Sequence, residues 1–130
     1  MIKRVLLSYF AGFFDGEGYI GIPTVRSKFR SLTVNVTQKD KTVLNFFQCA
    51  FGGGISKNKV NQCYQWYIYS DGALRFLKEL LPFLMLKAGQ ARIAIEFQEI
   101  KNARDYRRLT IADIALEEAH QKLIKEAKRV

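Results

Sequence analysis

The sequence predicts an α+β fold of the order αββαββα, with a four-stranded antiparallel sheet and its helices on the opposite face. Three observations carry that reading. Residues 29–37 and 63–69 alternate apolar and polar side chains with the period of a half-buried strand. The apolar residues of 40–51, 70–82 and 88–104 recur at helical spacing instead. The order helix, strand, strand occurs twice, and strands with one polar face need cover on the other face only.

Taken in order, residues 5–14 read as a short apolar helix that stops at Asp15-Gly16-Glu17-Gly18, where two glycines break it. Residues 19–26 and 29–37 follow as a hairpin, with Leu32, Val34 and Val36 on one face and Ser31, Thr33, Asn35 and Thr37 on the other. Asp40 can cap a helix to about Phe51 whose inner face is Val43, Leu44, Phe47 and Phe51. Gly52-Gly53-Gly54 ends it. A second hairpin joins 55–60 to 63–69, with Trp66 and Ile68 inward and Gln65, Tyr67 and Tyr69 outward. Ser70-Asp71 opens a helix carrying Leu74, Leu77 and Leu81, with Pro82 near its end. Ile93, Phe97 and Ile100 align along 88–104, and Thr110 with Asp113 can cap a last helix toward Lys128. No linker or low-complexity tract divides the chain, so one domain over 1–130 is expected.

A hydrophobic fraction of 48% with ten Phe excludes a disordered chain, and a net charge of +9 points to a polyanionic partner. The charge is uneven. Between Glu17 and Asp71 the one acid is Asp40, against Arg26, Lys28, Arg30, Lys39, Lys41, Lys57 and Lys59. Cys49 and Cys63 lack zinc spacing, His120 is the single histidine, and two cysteines suit structural thiols in a reducing compartment. The apolar run near the N-terminus is too short to span a bilayer, so a soluble intracellular protein without membrane or small-molecule partners is expected.

The outward strand positions can bond base edges, and lysine and arginine there can neutralise phosphate. Residues expected on such a DNA-reading face are Tyr19, Thr24, Arg26, Lys28, Arg30, Ser31, Thr33, Asn35, Lys39, Lys57, Lys59, Gln65 and Tyr67. On the first helix, Gly12 and Gly16 lie four apart on one face, a spacing that lets two helix backbones approach closely. Asp15 and Glu17 stand at the negative end of that helix, where a cation would offset their charge.

The segment Phe10-Ala11-Gly12-Phe13-Phe14-Asp15-Gly16-Glu17-Gly18 resembles the LAGLIDADG motif of the homing endonucleases. Phe replaces the leading Leu and the next Leu and Ile, Gly replaces the internal Ala, and Glu the second Asp. Val36-Thr37-Gln38-Lys39 and Pro82-Phe83-Leu84-Met85-Leu86-Lys87 are similar to two further family segments. One motif copy implies a homodimer joined through the motif helices, with Leu7, Ala11, Gly12, Asp15 and Gly16 at the interface. The resemblance makes Glu17 and the Gly16 carbonyl ligands of a divalent metal, Mg²⁺ by oxygen chemistry, with Mn²⁺ or Ca²⁺ able to occupy the same place. It gives Gln38 the positioning of water and Lys87 the polarisation of the nucleophile. The family's basic residue after that Gln falls at Thr42 here, beside Lys41. The implied activity is intron-encoded, site-specific cutting of double-stranded DNA, one phosphodiester in each strand of a long pseudo-palindromic site. The alternatives on the same fold are an RNA-splicing maturase and a DNA-binding protein that does not cut.

Overall fold

The structure, a computed structural model, describes residues 3–25, 29–104 and 109–129. Its elements are α1 (Arg4–Glu17), β1 (Gly18–Gly21), β2 (Thr24–Val25), β3 (Phe29–Arg30), β4 (Thr33–Gln38), α2 (Lys41–Phe51), β5 (Gly54–Lys57), β6 (Tyr64–Tyr69), α3 (Ser70–Leu80), a 3-10 turn (Leu81–Phe83), α4 (Ala88–Ala103) and α5 (Ile111–Ala127). The antiparallel sheet has the order β1-β4-β6-β5. Helices cover one face, as the alternation requires.

The register sorts the side chains by row. Val36 pairs with Trp66, which pairs with Ile55, and Ile20 pairs with Val34, which pairs with Ile68; these rows face the helices. Against them pack Phe10 and Phe14 of α1, Phe47 and Phe51 of α2, and Phe76 of α3. The rings meet edge to face, Phe51 on Phe76 at 4.7 Å and 88°, in the arrangement their quadrupoles favour. Trp66 belongs to this core, and its indole N–H donates to the Gly52 carbonyl at 2.8 Å. Asp40 caps α2 by accepting the Thr42 N–H at 2.8 Å, and Gly52 ends that helix with a φ of 82° that a Cβ would oppose. Thr110 and Asp113 cap α5 reciprocally.

Four local expectations need correction. The first helix does not stop before Asp15; it runs through Glu17. A single glycine costs a helix only about 1 kcal/mol, and tertiary contacts at Asp15 hold the last turn. The long first hairpin is interrupted after Gly21 and before Thr33, where Pro23 has no N–H to continue the ladder. Its outer part, β2 with β3, is a separate two-stranded ladder. Strand β5 ends at Lys57 rather than 60, since the Asn58 and Asn61 side chains accept the Val60 and Cys63 N–H groups and curl the segment into turns. On α4, Ile100 lies outward while Ala91, Ala94, Phe97 and Gln98 face inward.

Candidate active site and nucleic-acid interface

Helix α1 divides its motif between two directions. Phe10, Ala11 and Phe14 are buried among the aromatic core, and Leu7 and Phe13 are half-buried against it. Ala11 was expected at an interface between copies, but it has no exposed surface and belongs to the chain's own core. Gly12, Gly16 and Glu17 face outward. A Cβ on Gly12 or Gly16 would meet nothing within 4 Å, so the chain itself gives no reason for glycine at either position. Gly18 differs, because its Cβ would stand 2.2 Å from the fully buried Phe14 ring.

Asp15 is committed to its own chain rather than to a free face. Its carboxylate accepts the backbone N–H groups of Met85 at 2.8 Å and Lys87 at 2.9 Å. The Lys87 ammonium in turn donates to the Asp15 carbonyl at 2.6 Å. One residue thus fixes the segment after the 3-10 turn against the end of α1, and Lys87 keeps two of its three N–H donors for other partners. Gln38 lies on β4 two residues beyond the Gly18–Val36 pair. The Lys87 ammonium is thereby bonded beside Glu17 at the end of α1, and the strand that pairs with the next residue, Gly18, carries Gln38.

The donor chemistry at that end suits a hard divalent cation. Among the described residues the exposed Glu17 carboxylate has no hydrogen bond or ion pair, although it stands at the negative pole of α1. The Gly16 carbonyl lies where the helix has run out of N–H donors. Among the described residues no three His, Cys, Asp or Glu gather as a metal cage.

The outward face of the sheet carries Tyr19, Asn35 and Tyr67 in one row, Thr33 with Tyr69 in the next, and Thr37, Gln65 and Ser56 in a third. Two of its tyrosines lie flat on the sheet, Tyr19 along its own strand and Tyr67 across to the neighbouring β5. A Cβ on Gly21 would stand 2.2 Å from the Tyr19 hydroxyl, and one on Gly54 2.4 Å from the Tyr67 hydroxyl. The glycines are the space the rings occupy. Tyr69 packs beside Tyr67 at 5.3 Å. A polar groove of about 450 Å³ runs from Thr37 and Gln65 to Asn58 and Asn61. Lys39 and Lys59 are exposed in the loops beside this face.

Other residues expected on that face are placed elsewhere. Arg30 is turned to α5, where its Nε donates to Gln121 at 3.0 Å and its guanidinium meets Glu118 at 3.4 Å. The Thr24 hydroxyl accepts from the same Gln121 at 3.2 Å, and the Ser31 hydroxyl is 3.5 Å from that of Ser70. Thr24 and Arg30 are cross-strand partners on the parity of Ile20 and Val34, which faces the helices, and Ser31 is held at the start of α3. Lys57 pairs with Tyr64, in the row of Gln38 and on the helix-side parity. Its ammonium lies 5.5 Å from the Tyr64 ring, and that of Lys41 lies 5.7 Å from it. Arg26 and Lys28 lie outside the described residues.

Sequence reading missed Lys128. It follows α5 and sits 3.8 Å over the Tyr19 ring, with Lys87 and Gln90 nearby. Burial, then the like charges of Lys87 and Lys125, pull its ammonium below the usual lysine range. No motif marks it, since the return of α5 to β1 is a tertiary event.

The comparisons with known proteins agree with this geometry. Residues 10–103 match the profile of the LAGLIDADG endonuclease family. The fold superposes on the homing endonuclease I-CvuI, solved in complex with the I-CreI target in 2 mM Mg, at a TM-score of 0.69 and 20% identity, over 98% of this chain and 97% of that one. It superposes on the archaeal intron-encoded homing endonuclease I-Vdi141I, complexed with DNA, at a TM-score of 0.77 and 19% identity, over 96% and 83%. I-SmaMI, bound to an uncleaved DNA target with calcium ions, matches at 0.73 and 23% identity, over 92% of this chain but 45% of its own. A comparison with curated protein sequences finds no match.

Proposed function

Since the chain belongs to the LAGLIDADG endonuclease family, we propose that it is a metal-dependent, site-specific endonuclease of double-stranded DNA that acts as a homodimer on a pseudo-palindromic site, of the intron-encoded kind. The observation that carries this reading is the outward face of α1. Among the described residues nothing explains its two glycines, and the carboxylate at its end has no partner. A second copy of α1 packed on Gly12 and Gly16 accounts for the glycines and brings two Glu17 carboxylates together. The match to 97% of the I-CvuI chain but 45% of I-SmaMI fits a chain that forms one of two equivalent parts.

Glu17 and the Gly16 carbonyl would hold Mg²⁺, which supplies charge neutralisation at phosphorus and a more acidic water. Gln38 orients the attacking water by hydrogen bonding. Lys87, held by Asp15, adds positive charge beside the reacting phosphodiester. The outward sheet face lies in a DNA groove, with Asn35, Gln65 and Thr33 reading base edges and Lys39 and Lys59 meeting phosphates. A soluble protein acting on intracellular DNA fits a fold in which no described helix is long and apolar enough to cross a membrane.

The test is selection of cut sites from a randomised duplex library with Mg²⁺, followed by Glu17→Gln on the selected duplex. The variant retains binding and loses cutting. Normal cutting by Glu17→Gln refutes the metal assignment, and no cutting by the native chain with any divalent metal refutes the enzyme.

A further inference from the structure

Helix α5 returns to β1 and lays Lys128 against the residues that directly follow Glu17. Lys128, Tyr19, Gly18, Lys87 and Gln90 line a recess of about 310 Å³. Its lining includes two lysines and, among the described residues, no Asp or Glu. Partly desolvated like charges are costly to hold together, and the lining offsets little of that cost. The Tyr19 ring face recovers some of it, as does the carbonyl end of α5. The lowered pKa of Lys128 records the remainder.

Two lysines against an aromatic wall define a place for an anion carried on something larger than the recess.

We propose that this recess binds a phosphodiester of the DNA backbone next to the one that is cut, and that Lys128 is the cation that the sequence lacks at Thr42. The proposal rests on the endonuclease reading. Lys41, the nearest basic neighbour of Thr42, lies over Tyr64 on the other side of β4 and is not part of the recess. Lys128 reaches the end of α1 from the opposite direction. It arrives from beyond β1, an edge strand of the sheet. The contact is to phosphate and therefore blind to sequence.

The experiment uses the full chain and a duplex that the native protein cuts. Affinity is measured against salt, and single-turnover cutting at saturating protein, for Lys128→Met and Lys128→Arg. Loss of one phosphate contact per subunit flattens the slope of log affinity against log salt by about 0.9 per contact, about 1.8 for a dimer. Lys128→Met weakens binding by roughly tenfold or more at low salt, equally for target and unrelated duplexes, and slows cutting; Lys128→Arg restores most of both. In the native protein, duplex shields Lys128 from amine-reactive labelling, a readout that needs no variant to fold. A Lys128→Met variant with native salt slope and cutting rate, or a Lys128 labelled equally with and without duplex, overturns the proposal while loss of cutting in Glu17→Gln leaves the endonuclease reading standing. A native chain that neither binds nor cuts any duplex overturns both.

Discussion

Substitution of Gly12 separates the stability of the chain from its association, because the two respond with opposite sign. Within one chain the new side chain meets open space, so Gly12→Ala carries no steric penalty. Gly12 is interior to α1, and alanine there favours the helix by about 1 kcal/mol. In the proposed homodimer the same methyl stands where two α1 backbones approach, and overfilling a close contact costs about 1–3 kcal/mol. A two-fold interface meets each substitution twice, giving about 2–6 kcal/mol. At roughly 1.4 kcal/mol per tenfold, the dissociation constant of the dimer rises at least about thirtyfold. Gly12→Leu amplifies the effect. Sedimentation velocity over a concentration series reads the association, and thermal unfolding at low concentration reads the chain. A Gly12→Leu protein that dimerises as tightly as the native one refutes the assignment of this face. A Gly12→Ala chain that is less stable as a monomer refutes the claim that nothing in the chain needs the glycine.

Gly18→Ala destabilises the chain itself by about 1–3 kcal/mol in chemical denaturation, because the Phe14 ring it would strike is fully buried and β1 is paired to β4. Arg30→Met costs about 1–2 kcal/mol through the lost bond to Gln121, with little from the exposed partner Glu118, and leaves the salt slope of DNA binding unchanged. Acid weakens the caps of α2 and α5. The backbone N–H of Thr42 holds Asp40, and that of Thr110 holds Asp113, below the ordinary 3.8. Depressed carboxyl pKa values give stability that is complete above 3.8 and lost as pH falls through the lower folded values, so the melting temperature drops in acid below that point and Asp113→Asn removes part of the drop.

Much of the fold was legible because periodicity reports burial. The rows Val34–Ile68 and Val36–Trp66 are inward for the reason that their alternation announced. The chemistry was legible where local spacing carries it, as in the split of α1 into a buried face and the exposed Gly12 and Gly16. Elsewhere tertiary contacts decided. Ala11 is small because a crowded aromatic core abuts it, and smallness reads the same in sequence for a core and for an interface. Arg30 and Thr24 have the composition of a DNA-facing hairpin, but both keep the parity of the buried Ile22 and Leu32 and so address Gln121, about ninety residues later. Lys57 keeps the parity of Ile55, two residues before it on β5, and so falls on the helix side.

Gln121 also fixes something the strands do not. Its amide donates to the Ile22 carbonyl and the Thr24 hydroxyl, and its oxygen accepts from Arg30, so one side chain spans both arms of the bent hairpin. The main ladder is interrupted at this place, and one backbone bond, from the Ser31 N–H to the Pro23 carbonyl at 3.2 Å, joins the arms there. The outer ladder is therefore held from behind, by a helix. Its direction is a property of α5, and a shift of that helix by part of a turn would re-aim β2 and β3 without altering a single residue of either strand.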